Sequence, residues 1–286
     1  MFIWIIKQLL LCVLIFQCSI GVCQTGVLTK GEVWKISEGK IQSNVSDKDA
    51  LSDKYWQYLN KILPTKLLTQ HIVSLRLFTD GIANDLGGIS PLNQENTRWE
   101  IDIDTIDFNF KNTSPSHILL YSHTIIHEFG HLLTLNPEQI EVTSVVYQDD
   151  SKGYLTIAGN ANSYLSKFVL EFWQGSLLLK WDEIQKHKNK SKRRHLIYQL
   201  YLDNKDQFLT DYATQSPEED IAESWAFFVL SEKPAEEKIK HKKVLFFYEF
   251  PELIQYRQEI RNNLEVLPKD YINNYGINRD QLSSNK

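Results

Sequence analysis

The residue types best suited to chemistry lie in one short stretch, His127-Glu128-Phe129-Gly130-His131. On an α-helix, residues four apart lie about 40° apart around the axis and one turn apart along it. Both imidazoles therefore project from one face and can bind a single metal ion. Glu128 lies beside them, where it can accept a proton from water. Zinc is favoured, because histidine and carboxylate ligands around an open tetrahedral position suit it.

An apolar run with helical periodicity surrounds this stretch and predicts the helix that carries it. Ser114 and Pro115 are typical of a helix start, with a capping residue followed by proline in the first turn. Asn136 and Pro137 are typical of a helix end, so the predicted helix covers Pro115 to Leu135. The alternative is a buried helix that carries two unrelated histidines.

A catalytic zinc needs a third protein ligand and leaves its fourth position to water. The extended pattern H-E-x-x-H-x-x-G-x-x-H is absent, because Thr134 and Pro137 occupy its glycine and last histidine positions. His123 lies one turn before His127, but three consecutive turns would spread the ring nitrogens too far apart. The acidic residues just after Pro137 could serve only if the chain doubled back at once.

A second segment, residues 211–228, offers a better third ligand. A serine–proline pair starts another helix there, and Glu219 and Glu223 lie one turn apart on one of its faces. We expect that face to look towards the zinc, with Glu219 as the ligand. The alternative is that the acids only complement the helix dipole, a role that suits Glu218 and Asp220.

Together the two motifs resemble those of gluzincin peptidases of the lethal-factor and Pro-Pro endopeptidase type, and of their secreted bacterial relatives. Tyr212 lies seven residues before Glu219, and a second acid, Glu223, follows four residues after it. The resemblance implies a zincin-like fold and zinc-dependent hydrolysis of a protein or peptide substrate. It implies that Tyr212 acts in catalysis beside Glu128 and that Glu223 orients one histidine ligand. The stretch between the two motifs is longer than such enzymes lead us to expect.

Two other functions stay open on the sequence. One is a secreted binding protein with a structural or vestigial zinc and no turnover. Glu128 argues against it, because a structural site does not need that carboxylate and usually has four protein ligands. The other is a zinc hydrolase that acts on a non-peptide amide, such as a cell-wall fragment.

Composition and cysteine usage limit the partners and the redox chemistry. The chain has 286 residues, a formal net charge of −5 and 42% hydrophobic residues, enough for a large core. This mild acidity disfavours nucleic acid as a partner. All three cysteines, Cys12, Cys18 and Cys23, lie within the first 23 residues, so no disulfide is expected downstream.

Residues 1–23 are typical of a secretory signal. Lys7 is the single charge before an apolar stretch that is too short for a membrane span. We therefore expect a secreted or periplasmic protein with no stable membrane span after signal removal. Acylation of Cys23 is a less favoured alternative, because Val22 stands where lipoproteins usually have a small residue.

The remaining pattern predicts an α+β fold, in which a small N-terminal mixed sheet packs on the histidine helix. A helix is expected at 49–63, and strands are expected at 71–78 and 98–104. The second strand has Trp99, Ile101 and Ile103 inward and Glu100, Asp102 and Asp104 on a solvated outer face. That strand could also pair with an extended substrate. Residues 87–91 are interpreted as a turn.

The second half of the chain is predicted to be mainly helical. Residues 164–184 carry aromatic and aliphatic side chains at helical spacing and should be core. The basic run at 186–195 should be a solvated face, with a site for acidic substrates as the alternative. Two packed helices are expected at 244–250 and 251–264.

The predicted organisation has four parts. A signal covers 1–23, an N-terminal α/β lobe 24–114, a catalytic core with a helical lobe 115–268, and a polar tail 269–286.

Overall fold

A mixed β-sheet and a long helix packed beside it form the first half of the structure. The computed structural model describes residues 31–42, 47–81, 85–140, 147–149, 154–156, 162–235 and 237–275. The sheet strands are β1 (Glu32–Ser37), β2 (Lys40–Ile41), β3 (Ile72–Phe78), β4 (Gly87–Pro91) and β5 (Trp99–Asp104). Their order is β2-β1-β3-β5-β4. Only the β3–β5 pair is parallel, and the other pairs are antiparallel.

Helices make up most of the remainder. The sheet region contains α1 (Asp47–Ile62) and α2 (Thr65–His71), and it is followed by α3 (Pro115–Leu135). After a ribbon of β6 (Tyr147–Asp149) and β7 (Tyr154–Thr156) come α4 (Tyr164–Phe172), α5 (Ser176–Gln185), α6 (Lys190–Asp203), α7 (Pro217–Leu230), α8 (Ile239–Phe246) and α9 (Pro251–Asn263). Short 3₁₀ turns at Tyr212–Thr214 and Phe247–Glu249 precede α7 and α9. The α+β class is confirmed, and the zincin-like arrangement stays a prediction.

The histidine helix α3 begins and ends where the sequence predicts, at Pro115 and Leu135. Ser114 occupies the N-cap position, but its hydroxyl donates to Asn112 Oδ1 at 2.9 Å instead of capping the helix. At the other end, the side-chain amide of Asn136 donates to the carbonyl of Leu132 at 3.0 Å. This bond satisfies one of the carbonyls that a helix end leaves without a partner.

Two predictions about the strands are wrong. Residues 87–91 are not a turn: they form β4, which pairs along its length with β5 and lies at the edge of the sheet. The second prediction is that the strand at 98–104 could also pair with an extended substrate. That strand lies between β3 and β4 as β5, so its backbone is already paired. Among the described residues, the edge strands of this sheet are β2 and β4.

The prediction of a solvated outer face on β5 is also only partly correct. Glu100 accepts a hydrogen bond from Ser74, and Asp102 binds Arg76, so both side chains are partly covered. Asp104 is fully buried. Its carboxylate accepts backbone N–H bonds from Asp80, Ile106 and Asp107 and therefore holds the turns at the end of the strand.

In the second half, the apolar run at 164–184 is core as predicted, with Phe168, Trp173 and Trp181 all buried. The run forms two helices, because Gly175 adopts a φ of 71° between α4 and α5. The side chains of the basic run at 186–195 are mostly exposed, as expected for a solvated face.

The predicted polar tail does not begin at residue 269. Tyr271 is only 1% exposed and packs against the ring of Phe227. Residues 276–286 lie outside the described part of the chain, as do the predicted signal at 1–23 and its Cys23. No helix among the described residues has both the length and the apolar character needed to cross a bilayer.

One hydrophobic core connects the sheet with both halves of the helical part. It includes Ile101 of β5, Phe129 of α3 and Trp225 of α7. The closest approach between α3 and α7 is at Gly130. A Cβ atom there would lie 3.1 Å from the Cα of Ala222 and 3.0 Å from Trp225 Cδ1. The missing side chain thus lets the two helices pack backbone to backbone. The predicted division of the chain at residue 114 stays a prediction.

Substituting Gly130→Ala should lower the free energy of unfolding by up to about 2 kcal/mol. Alanine favours a helix by about 1 kcal/mol over glycine, but overpacking a core site costs about 1–3 kcal/mol. Chemical denaturation measures the difference. Gly88→Ala is the control, because its Cβ would meet nothing closer than 3.9 Å. A Gly130→Ala variant more stable than the natural chain would contradict a close helix crossing.

Candidate metal centre

Two helices supply the side chains of the candidate site. α3 presents His127 and His131 one turn apart, and α7 crosses it with Glu219 in its first turn. The start of α7 is fixed by Ser216, whose hydroxyl oxygen accepts the backbone N–H of Glu219 at 3.2 Å. This cap and the following proline, both predicted from the sequence, set the position of Glu219 opposite the histidines.

Three donor atoms from these side chains form a nearly equilateral triangle. His127 Nε2 lies 3.1 Å from Glu219 Oε2 and 3.1 Å from His131 Nε2. The third side, from His131 Nε2 to Glu219 Oε2, is 3.2 Å long. We call these three residues the donor triangle. Ligand atoms about 2.0–2.1 Å from a tetrahedral zinc lie about 3.3 Å from one another. The donor triangle has nearly these dimensions.

Hydrogen bonds alone do not satisfy this arrangement. Each ring nitrogen has at most one hydrogen and the ionised carboxylate has none, so hydrogen bonds can bridge at most two of the three sides of the triangle. A cation in the middle would satisfy all three atoms at once. The His127, His131 and Glu219 group can therefore hold a metal ion. Zinc as that ion is a prediction that these donor types support.

The residues of the donor triangle and those beside it differ in exposure. Glu219 and His127 are buried, whereas His131 is partly exposed. Glu128 and Tyr212 are also partly exposed. The ring centroid of Tyr212 lies 5.7 Å from that of His127. The structure thus brings Glu128 and Tyr212 close to the donor triangle, whereas Glu223 is buried.

Charge and burial oppose each other in the cluster. Burial by itself would lower the pKa of His127, but the carboxylates of Glu219 and Glu223 outweigh it and hold that pKa well above 6.5. Burial would raise the pKa of Glu219, yet His131 and His127 hold it well below its ordinary value. For Glu128, burial prevails and raises its pKa, with Glu219 and Asp102 adding to the rise.

Glu223 lies where the sequence predicts, behind His127. Its Oε1 is 3.0 Å from His127 Nδ1, and its Oε2 accepts the hydroxyl of Thr210 at 2.8 Å. His123 is not part of the donor triangle, because its Nε2 contacts Glu223 Oε1 at 3.1 Å. The sequence did not indicate a role for Thr210, or for Tyr271, whose hydroxyl contacts His123. No local pattern marks either residue.

The alternative in which Asp220 only complements the helix dipole is wrong. It is fully buried, accepts the indole N–H of Trp173 at 2.7 Å and pairs with Lys243. Burial raises the pKa of Asp220 to about 6, although Lys243 opposes the rise. The pair joins α7 to α8 immediately behind Glu219. This buried contact contributes to the position of the donor triangle.

Comparison of the chain with protein-family models, with curated proteins and with solved structures found no match. The similarity to gluzincin peptidases therefore stays a prediction from the two motifs. The geometry of the cluster is what supports a functional assignment.

Substituting Glu219→Gln should weaken zinc binding by at least about 100-fold, because loss of a direct ligand should cost no less than loss of an outer partner. Competition with a chromophoric chelator measures the dissociation constant. Glu218→Gln is the matched control, since it changes the same charge at the neighbouring position outside the donor triangle. Equal zinc affinities for the two variants would show that Glu219 is not a ligand.

Zinc binding at pH 7 should release about one proton. The carboxylates of Glu219 and Glu223 raise the pKa of His127, which favours a bound proton in the metal-free protein. A metal requires the neutral imidazole, so zinc displaces the proton and the affinity falls as the pH is lowered. Calorimetry in buffers of different ionisation enthalpy gives the number of protons. Proton uptake, or no proton exchange, would contradict a protonated His127 between two carboxylates.

Proposed function

We propose that this chain is a secreted zinc-dependent metallopeptidase that hydrolyses peptide bonds in proteins or peptides. The observation that carries the proposal is a triangle of two imidazoles and one carboxylate, with the partly exposed Glu128 and Tyr212 beside it. A structural zinc usually has four protein ligands and no open side. The described residues contribute three donors to this group.

His127, His131 and Glu219 would hold the zinc. Two histidines with one glutamate are a ligand set of hydrolytic zinc enzymes, which keep the fourth position for water or substrate. When bound, zinc polarises a carbonyl group and lowers the pKa of a coordinated water to about 7.

Glu128 is the general base of the proposed reaction. Its carboxylate takes a proton from the water that attacks the scissile carbonyl and later gives it to the departing amine. The charges of His131 and Glu219 act on it, so it lies beside the donor triangle. Its pKa, raised by burial, is nearer to neutral pH than that of a free glutamate, which suits a group that both accepts and returns a proton.

Tyr212 is assigned the role of stabilising the transition state. It lies in the 3₁₀ turn just before α7, so the segment that positions Glu219 also positions this side chain. Its hydroxyl would donate a hydrogen bond to the carbonyl oxygen of the scissile bond as negative charge develops there.

The outer edge of β4, which pairs with no other described strand, supports a peptide as the substrate. An extended chain can add to such an edge through backbone hydrogen bonds, with little dependence on its side chains. β4 also lies against the histidine helix, since a Cβ at Gly87 would be 3.5 Å from Thr124 Cγ2. Thr124 precedes His127 by less than one turn, so the start of β4 lies near the part of the helix that carries the donor triangle.

Substituting Glu128→Gln should leave zinc bound while the turnover number falls by about 10²–10⁴-fold, because only the proton transfer is removed. Digestion of a peptide library identifies a cleavable peptide, and metal analysis gives the zinc content. Full turnover by Glu128→Gln, or no cleavage of any peptide by the zinc-loaded natural chain, would contradict the proposal. In the second case, a non-peptide amide or a binding role would remain.

Substituting Tyr212→Phe should lower the turnover number by about 100-fold with a nearly unchanged KM, because the lost hydrogen bond forms in the transition state. Steady-state kinetics on the same peptide separates the two constants. Tyr201→Phe, a partly buried tyrosine of α6, is the control and should behave like the natural chain. An increase in KM alone would assign Tyr212 to substrate binding instead.

A further inference from the structure

A continuous row of polar contacts extends from the donor triangle into the core. Glu223 Oε1 lies 3.0 Å from His127 Nδ1 and 3.1 Å from His123 Nε2. Beyond it, His123 Nδ1 lies 2.9 Å from the hydroxyl of Tyr271. Every member is buried: Tyr271 is 1% exposed, and His123 and Glu223 are each 4% exposed.

We infer that His123 and Tyr271 are positioning residues of the metal centre. They hold Glu223 in the orientation that aims the ring of His127 at the metal. The inference rests on the proposed metal site. It extends that site to the segment around Tyr271, near the end of the described chain. Tyr271 is separated from His123 by 148 positions, so the contact joins two distant parts of the fold.

A single set of hydrogen positions satisfies all of these contacts. If His127 offers the lone pair of Nε2 to a metal, its Nδ1 carries a hydrogen and lies 3.0 Å from Glu223 Oε1, a close polar contact without the alignment of a hydrogen bond. The same oxygen accepts from Nε2–H of His123, which leaves His123 Nδ1 as an acceptor. The hydroxyl of Tyr271 donates to that nitrogen. Every donor in the row then faces an acceptor.

Removing a donor from this row should affect the metal. A buried carboxylate that loses a hydrogen-bond donor is left partly unsatisfied, and it turns towards other partners. His127 then loses the contact that fixes its ring and raises its basicity. Outer partners of this kind typically change metal affinity by about 10–100-fold.

Aromatic packing keeps the row in place. The ring of His123 lies 4.8 Å from that of Tyr275 and 5.7 Å from that of Phe227, measured between centroids. The ring of Tyr271 is in turn 5.2 Å from that of Phe227. These contacts limit rotation of the imidazole, so its two nitrogens stay directed at Glu223 and Tyr271.

His123, His127 and Glu223 also form a group whose donor atoms are close enough to hold a second metal ion. In that case His127 would have to bind one ion through each ring nitrogen. The row of hydrogen bonds needs no second ion. The metal content of the protein separates these two roles of His123.

The test compares zinc affinity and the absorption spectrum of the cobalt-substituted protein among variants of the full chain. His123→Leu removes both nitrogens and should weaken zinc binding by about 10–100-fold. His123→Gln keeps an N–H near the position of Nε2 and should recover most of the affinity. Tyr271→Phe keeps the ring and should weaken binding by about tenfold, with a shifted cobalt spectrum.

Two substitutions elsewhere serve as matched controls. His117 is another buried histidine of α3, and its Nε2 accepts the backbone N–H of Asn109 at 3.3 Å. Tyr55 is another buried tyrosine, and its hydroxyl donates to the carbonyl of Phe108 at 2.6 Å. His117→Leu and Tyr55→Phe should lower stability without changing zinc affinity or the cobalt spectrum.

The outcomes distinguish this inference from the proposed function. If the natural chain binds no zinc, both are wrong. If the natural chain binds zinc and Tyr271→Phe has the same zinc affinity and cobalt spectrum, only the positioning role is wrong. The Tyr271→Phe variant decides the question even if His123→Leu does not fold. Two zinc ions per chain, with one lost in His123→Gln, would make His123 a ligand and overturn the inference. Equal losses in the control variants would do the same.

Discussion

The site depends on the close crossing of α3 and α7. Two histidines on one helix cannot complete a metal site, because their own helix offers no third ligand in reach. Gly130 lacks the side chain that would keep the two helices apart, and its neighbours Ala222 and Trp225 lie on α7. On the same helix, Glu219 then reaches His127 and His131. The close packing at Gly130 and the approach of Glu219 to the two histidines therefore both follow from one contact between α3 and α7.

Electrostatics explains how such a cluster can exist in the metal-free protein. Two buried carboxylates, Glu219 and Glu223, would be costly without a positive partner. His127 lies between them, and their charges raise its pKa well above the ordinary value. A proton thus stabilises the cluster until a metal replaces it. The three ligand atoms already lie about as far apart as zinc ligands do.

Local signals in the sequence predicted the elements of the site. Pro115 and Asn136 define α3, and Ser216 caps α7, because each residue acts on the backbone beside it. The spacing of the histidines and of Glu219 and Glu223 follows from the helical repeat alone. The predictions that failed involve partners distant in the sequence. The Gly87–Pro91 segment is a strand only because β5 pairs with it, and Asp104 is buried by the turns that it binds.

Tyr271 shows the same limit within the site. Nothing in the residues around it indicates a role, and the contact with His123 exists only after the two parts of the chain pack together. The sequence indicates that His123 lies near the metal ligands, but it does not indicate Tyr271 as its partner. A pattern on one helix does not reveal whether a nitrogen faces a metal or the carboxylate behind it.

The most direct test of the central claim is the position of the metal in a crystal of the zinc-loaded protein. Diffraction data collected at the zinc absorption edge locate the ion without assumptions about its ligands. The account predicts one strong anomalous peak at about 2.0–2.1 Å from Nε2 of His127 and of His131 and at about 2.0–2.2 Å from a carboxylate oxygen of Glu219. A peak elsewhere, such as among Asp80, Asp104 and Asp107, or no peak at the donor triangle, would contradict it.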